Sequence, residues 1–202
     1  MSYLYERNFE LQKKIAMEKL EDALRKNLVD EDIISLLEKI NSLENYFTTS
    51  SCSGRIVVME MPEFGDKLNA KWLGKWHREV SMEEVKKAIE KHEEGMIWLM
   101  LHSPILHVAS RSLEDAVRLL NLGIHSGFKN SSIKSVSHKK LLVELYSTER
   151  LDIPLGENGE IWVDEEYLVK IVGMANRQLR RAKGKLSKLE GEIERLLDGD
   201  KQ

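Results

Sequence analysis

The chain has 202 residues, 42% of them hydrophobic and 32% charged, with a formal net charge of −3. That size and apolar content suffice for the core of one domain, and no stretch approaches the ~20 apolar residues of a membrane span. A single cysteine excludes an internal disulfide framework, C-x-x-C and H-E-x-x-H spacings are absent, and the near-balanced charge argues against a molecule that binds polyanions with its whole surface.

Phe9, Ala16, Leu20 and Leu24 recur at helical spacing and predict a first helix from about Tyr5 to Lys26. Asp30 stands at the N-cap position of a second, amphipathic helix carried by Ile33, Ile34, Leu37 and Ile40 and ending near Asn45. Thr48 to Arg55 reads as a hydroxyl-rich loop that enters a buried strand, Arg55 to Met61. A loop containing Pro62 and Gly65 then leads to a strand from Trp72 to Val80, and the two strands suit a hairpin. Ser81 with Glu84 makes a capping box for a helix reaching about Glu93. Apolar strands follow at Met96 to His102 and Ile105 to Ala109, broken at Ser103-Pro104. Ser112 with Asp115 caps a further helix that should stop near Gly123 or at Ser126-Gly127, and strands are expected at Ile133 to Ser137 and Leu141 to Tyr146. After a loop holding Pro154, Gly156 and Gly159, Asp164 caps a long basic helix over about 165–197.

Alternating helices and strands predict an α/β or α+β fold: one domain over residues 1–202 with a central mixed sheet flanked by helices. No G-x-G-x-x-G follows any predicted strand, so a Rossmann-type cofactor site is not expected. Two stretches lack acids entirely. One runs from Leu168 to Leu189 with Lys170, Arg177, Arg180, Arg181, Lys183, Lys185 and Lys188. The other runs from Ala116 to Val143 with Arg118, Lys129, Lys134, Lys139 and Lys140, and Phe128 interleaved. Such local positive fields suit phosphate contacts, and they equally suit solvated surface.

The richest chemistry lies in Thr48 to Arg55, where five hydroxyls, the only thiol, a glycine and a guanidinium fall within eight residues. A hydroxyl cluster offers many donors and acceptors, Gly54 permits close backbone approach, and Arg55 can clamp a carboxylate bidentately. A hydroxyl-rich hairpin loop with a flanking arginine would have the same composition. The segment further resembles the [S/T]-x-S-S-C-x-G-R signature of the wybutosine-synthesis methyltransferase family, which acts on phenylalanine tRNA. The resemblance continues through Val29-Asp30-Glu31, Ile40-Asn41, a strand ending in His77, Leu106-His107-Val108, Ser110-Arg111, the segment from Ser126 to Ile133, and Glu165-Glu166-Tyr167. Lys129 stands where arginine is more usual and Ser132 where glycine is expected.

That resemblance implies S-adenosylmethionine as methyl donor. The implied acceptor is a ring nitrogen, N4, of the tricyclic base that carries a 3-amino-3-carboxypropyl arm beside the anticodon of tRNA(Phe), so the anticodon loop is the expected partner. It also implies Asp30, His77, Ser51 and Cys52 at the catalytic centre, with Asp30 or His77 as the base. Ser50, Ser53, Gly54, Arg55 and His107 are implied around the cofactor, and Arg111, Ser126, Gly127 and Lys129 as contacts to substrate or phosphate. Methyl transfer from a sulfonium needs no enzyme nucleophile, so Cys52 reads as a packing or binding residue. His92, His102, His125 and His138 read as structural or surface residues. Trp72, Trp76, Trp98 and Phe128 offer faces for stacking, with core packing as the alternative. No metal and no membrane partner are expected, and the opening residues lack a leader pattern, which suits the cytoplasm. The competing readings are a non-catalytic tRNA-binding module and a thiol-dependent hydrolase built on Cys52.

Overall fold

The computed structural model describes residues 3–63, 65, 66, 68–137 and 140–199; His138 and Lys139 lie outside the described residues. Helix α1 is Tyr3–Arg25, a short 3-10 turn spans Glu31–Ile33, and α2 is Ile34–Ser42. Strands β1 (Tyr46–Cys52), β2 (Arg55–Met61) and β3 (Lys71–Trp76) follow, then α3 (Met82–Ile89), β4 (Met96–His102) and β5 (Ile105–Ser110). Helix α4 (Leu113–Ser126), β6 (Ser132–Val136), β7 (Leu141–Tyr146), β8 (Leu151–Glu157), β9 (Glu160–Ile161) and α5 (Glu165–Gly199) complete the order. Both expected capping boxes form, Ser81 with Glu84 and Ser112 with Asp115, and the Tyr167 N–H donates to Asp164 at the head of α5.

Strands and helices pack into an α+β arrangement, but not around one central mixed sheet. Among the described residues every strand pairing is antiparallel, and two sheets form: β1-β5-β7-β6 and β3-β2-β4-β8-β9. The reason lies at two short breaks. Ser53-Gly54 and Ser103-Pro104 interrupt otherwise continuous extended chain, so β1 and β2, and likewise β4 and β5, join different sheets. The chain divides accordingly into two compact units, one of residues 1–53, 104–148 and 183–202, the other of residues 54–103 and 149–182.

In the first unit, Leu36, Leu37 and Ile40 of α2, Leu119 of α4 and Leu186, Leu189 and Ile193 of α5 bury against Leu106, Val108, Val143 and Leu145 of the sheet. Phe128, a stacking candidate, is fully buried in this core. Gly127 ends α4 in the left-handed region at φ 102°, a conformation that favours glycine. In the second unit, Ile56, Val58, Ile97, Leu99 and Leu101 pack one face of the sheet against α3 and the first part of α5. Val57, Met59, Met61, Trp98 and Met100 form a second cluster on the alternate strand positions.

One ionic cluster is buried in the second unit. Glu60, 2% exposed, accepts from the backbone N–H of Glu93 (2.9 Å), from the His92 ring (2.8 Å) and from Lys71 (3.1 Å). The Gly159 N–H donates to His92 Nε2 (3.2 Å), which leaves the ring proton on Nδ1 facing Glu60. Burial pushes the Glu60 carboxyl up, but the Glu93 N–H, His92, Lys71 and the Glu94 N–H outweigh it and bring it from 4.5 down to about 2. A carboxyl lowered by folding adds stability above its unfolded value and loses it as pH falls through the folded one. Glu60→Gln is therefore expected to be less stable than wild type at neutral pH, the gap closing between pH 4.5 and about 2. Denaturant melts across that window check it.

Candidate active site

The hydroxyl signature is a strand, not a loop. Thr48 to Cys52 pair with β5 as the outer strand of the first unit's sheet, and only Ser53-Gly54 form the turn. Branched threonines suit a pleated surface, and hydroxyls at a sheet edge need no apolar cover. The register slips between Thr48 and Ser50, so Thr49 is an extra residue and Ser50 lies directly opposite His107. Ser50 Oγ is 2.9 Å from His107 Nδ1, and His107 Nε2 is 2.9 Å from Glu144 Oε2. Leu106 and Val108 are fully buried while the His107 ring stays partly exposed, as alternation along a strand requires.

Thr48, Thr49, Ser50 and Ser51 form one wall of a cavity of about 460 Å³ whose other walls include Ile15, Ala16 and Leu20 of α1, with Lys19 and Lys140 at its polar margin. That volume lies in the range of about 300–1,000 Å³ usual for small-molecule sites. One side is apolar enough for an aromatic base, and the other bears hydroxyls for a sugar or a charged centre.

Asp30 does not cap its helix. Its side chain makes no capping hydrogen bond and instead accepts the Ser53 N–H (2.8 Å), fixing the turn that ends the signature strand. Ser53 is completely buried, so this acceptor replaces water for an otherwise enclosed donor. Cys52 carries a partly buried thiol that forms no disulfide.

In the second unit, Arg55 opens β2 opposite His102. Its guanidinium carbon is 4.9 Å from the Trp72 ring centroid, and its Nε–H donates to His102 Nδ1 (3.3 Å). Trp72 is half-exposed and meets the His102 ring edge-on. His102, expected to be merely structural or on the surface, thus orients the signature arginine; only the strand register links the two. Trp76 packs against the core of its unit and Trp98 is buried, so of the aromatics considered for stacking only Trp72 presents an exposed face. His77 follows the end of β3 in a bend.

The remaining candidates are dispersed within the first unit. Arg111 stacks over Phe9 (4.8 Å) and bonds to Glu10 and to the Glu44 carbonyl, fastening α1 to the end of β5. Ser126 is buried at the end of α4, Gly127 caps that helix, and Lys129 is exposed. The long acid-free run is acid-free in sequence only. Lys170 pairs with Glu166, Arg180 with Glu79, Arg181 with Glu149 and Lys183 with Asp32, while Lys185 reaches the Ser147 and Thr148 hydroxyls and Lys188 the His125 carbonyl.

Comparison with known proteins agrees with this arrangement. The family described as methyltransferase TYW3 matches residues 11–195. A protein of Thermococcus sibiricus named tRNA(Phe) 7-((3-amino-3-carboxypropyl)-4-demethylwyosine(37)-N(4))-methyltransferase is 71% identical over 96% of this chain and 98% of its own. One of the same name from Methanocaldococcus jannaschii is 45% identical over 91% of this chain and 96% of its own. The solved structure of a Pyrococcus horikoshii protein superposes with a TM-score of 0.92 at 66% identity, covering 94% of this chain and 98% of that one. A hypothetical protein from Aeropyrum pernix matches with a TM-score of 0.73 at 27% identity, over 83% of this chain and 98% of its own. From its hydroxyl signature to the architecture that displays it, the chain belongs to the TYW3 methyltransferase family.

Proposed function

We propose that this protein transfers a methyl group from S-adenosylmethionine to ring nitrogen N4 of the tricyclic demethylwyosine base bearing a 3-amino-3-carboxypropyl arm in tRNA(Phe). The observation that supports it most is the signature strand forming the hydroxyl wall of a small-molecule-sized cavity in a chain of this family. The apolar side of that cavity and its serine and threonine side suit an adenosyl group and its ribose, with Thr48 to Ser51 as hydrogen-bonding partners. The donor, when bound, supplies an electrophilic methyl group on a sulfonium.

The protein's own residues supply binding and orientation. Asp30 holds the Ser53 N–H and so fixes Ser51 and Cys52 at the end of the strand. Arg55, steadied by Trp72 and His102, presents its terminal nitrogens to a carboxylate. His77, in the second unit, is the other candidate base, and Gly54, at φ 88°, allows the close turn after the signature strand. Arg111 sets α1 against the cavity's sheet, and exposed Lys129 offers a contact to substrate or phosphate beside the helix end formed by Ser126 and Gly127. The enzyme works as one catalytic domain in the cytoplasm, without a metal. No helix among the described residues is long and apolar enough to cross a membrane.

The test is methyl transfer from labelled S-adenosylmethionine into tRNA(Phe) isolated from cells lacking this step, read by nucleoside mass analysis. The expected result is one added methyl on the tricyclic nucleoside, with Cys52→Ser retaining activity because no covalent intermediate forms. Binding of tRNA with no transfer would favour the non-catalytic module instead.

A further inference from the structure

Methyl transfer to a ring nitrogen that carries a hydrogen leaves a proton to be removed. Asp30 accepts the Ser53 N–H, and the first unit also holds a second acid-base chain, whose buried member Glu144 no sequence motif announces. Ser50, His107 and Glu144 occupy directly opposed positions on β1, β5 and β7. The contacts run in one line: Ser50 Oγ to His107 Nδ1 at 2.9 Å, His107 Nε2 to Glu144 Oε2 at 2.9 Å, and Lys134 Nζ of β6 to Glu144 Oε1 at 2.8 Å. Only the bulge at Thr49 makes this alignment. Without the extra residue, Thr49 would lie opposite His107 and Ser50 would move to the other face. At one end of the line Ser50 is exposed and lines the cavity; at the other, Glu144 is buried.

We infer that Ser50, His107 and Glu144 form the relay that carries away the proton of the acceptor nitrogen. The inference rests on the methyl-transfer reading above. A carboxylate oxygen only accepts, so His107 Nε2 bears the ring proton, and in the neutral ring Nδ1 accepts from the Ser50 hydroxyl. As the nitrogen–methyl bond forms and the sulfur–methyl bond breaks, with its electron pair left on sulfur, the N–H pair returns to the base. That proton passes to Ser50 Oγ, the Ser50 proton passes to His107 Nδ1, and the resulting imidazolium is stabilised by the Glu144 carboxylate. Ser50 touches the substrate and is a catalytic residue; His107 and Glu144 are positioning residues acting through it. Burial raises the Glu144 carboxyl, but hydrogen bonds from Lys134 and His107 outweigh it and the net shift is downward, which keeps the group ionised at neutral pH.

Glu144→Gln keeps the size of the side chain and an acceptor oxygen while removing the charge. It is expected to lower kcat about 100-fold, within the range usual for general acid-base catalysis, with KM for tRNA and calorimetric binding of S-adenosylmethionine unchanged. Ser50→Ala, at an exposed position, tests the same relay where folding is not at stake; because Ser50 also lines the donor cavity, kcat is compared at saturating S-adenosylmethionine. The double variant should lose little more than either single one, because members of one relay act as a unit. A merely structural Glu144 is separated by spectra of isotope-labelled histidine, which report the tautomer. His107 should be the Nε2–H form in the wild type and a mixture in Glu144→Gln, since a glutamine amide either accepts or donates. An Nδ1–H tautomer in the wild type overturns the relay. So does full kcat in Glu144→Gln alongside loss in Asp30→Asn or His77→Gln, which would return the base to one of those residues. If the wild type transfers no methyl to competent tRNA, the functional reading itself falls, and the relay with it; transfer by the wild type with an undiminished kcat in both relay variants removes the relay alone.

Discussion

Replacing Arg55 with Lys should reduce kcat/KM for methyl transfer by about two to three orders of magnitude, the cost expected when one partner of a hydrogen-bonded charge pair loses its match. Lysine keeps the charge but not the planar fork, and a charge alone cannot grip two carboxylate oxygens at once. It also forfeits both supports, because the stack on Trp72 and the bond to His102 depend on the guanidinium plane and on Nε. Two carboxylates are available in the proposed reaction, one on the methyl donor and one on the arm of the base. Measuring wild type and Arg55→Lys with acceptor tRNA that carries or lacks the arm separates them. If Arg55 grips the arm, the variant's defect shrinks on the armless acceptor; if it grips the donor, the defect is the same on both and calorimetry shows weakened donor binding. A variant with wild-type kcat/KM on the full acceptor would remove Arg55 from the site.

The parts of the fold legible in the sequence are those with local causes. Capping boxes at Ser81 and Ser112 and the cap at Asp164 depend on residues three apart, and all three form. Strands β2, β4 and β7 are apolar runs with no competing signal, and their expected limits match. Where the cause is tertiary, the reading fails. Thr48 to Cys52 have turn-like composition, but β5 offers them a ladder, and hydrogen bonding to a partner outweighs local preference. Asp30 sits where a cap belongs, yet the buried Ser53 N–H needs it more. Glu144 carries no motif at all; its part in the site exists only because β7 lies beside β5 in one particular register. The basic run of α5 shows the same limit in reverse, since acids distant in sequence neutralise it locally.

Strand β8 is the clearest omission and leads to a second large effect. Pro154 and Gly156 mark a loop by composition, but the register slips between Ile97 and Trp98 of β4, leaving Leu155 as a bulge between them. Pro154 pairs with Trp98 immediately beside this bulge, a position where a strand tolerates proline, and β9 pairs with Gly156 and Glu157. Gly156 is required for a different reason: a Cβ there would lie 2.0 Å from the Glu160 carbonyl oxygen and 2.9 Å from Ile161 Cα, both backbone atoms of the paired strand. Gly156→Ala must therefore push β9 away. With it go the bond from the Trp162 N–H to the Leu155 carbonyl (2.9 Å) and the seat of Gly159, whose N–H orients His92 toward buried Glu60. A destabilisation of about 3–5 kcal/mol is expected, or roughly 6–20 °C in Tm for a chain of this size. The same change at Gly173, within α5 and with nothing inside 4 Å of the added Cβ, should instead raise stability by about 0.5–1 kcal/mol, because alanine gives up less freedom in a helix. Two glycine-to-alanine substitutions of opposite sign, compared by thermal denaturation, would distinguish a steric requirement at the β8–β9 pairing from a general intolerance of the fold. Destabilisation by both, or by neither, would refute the steric account.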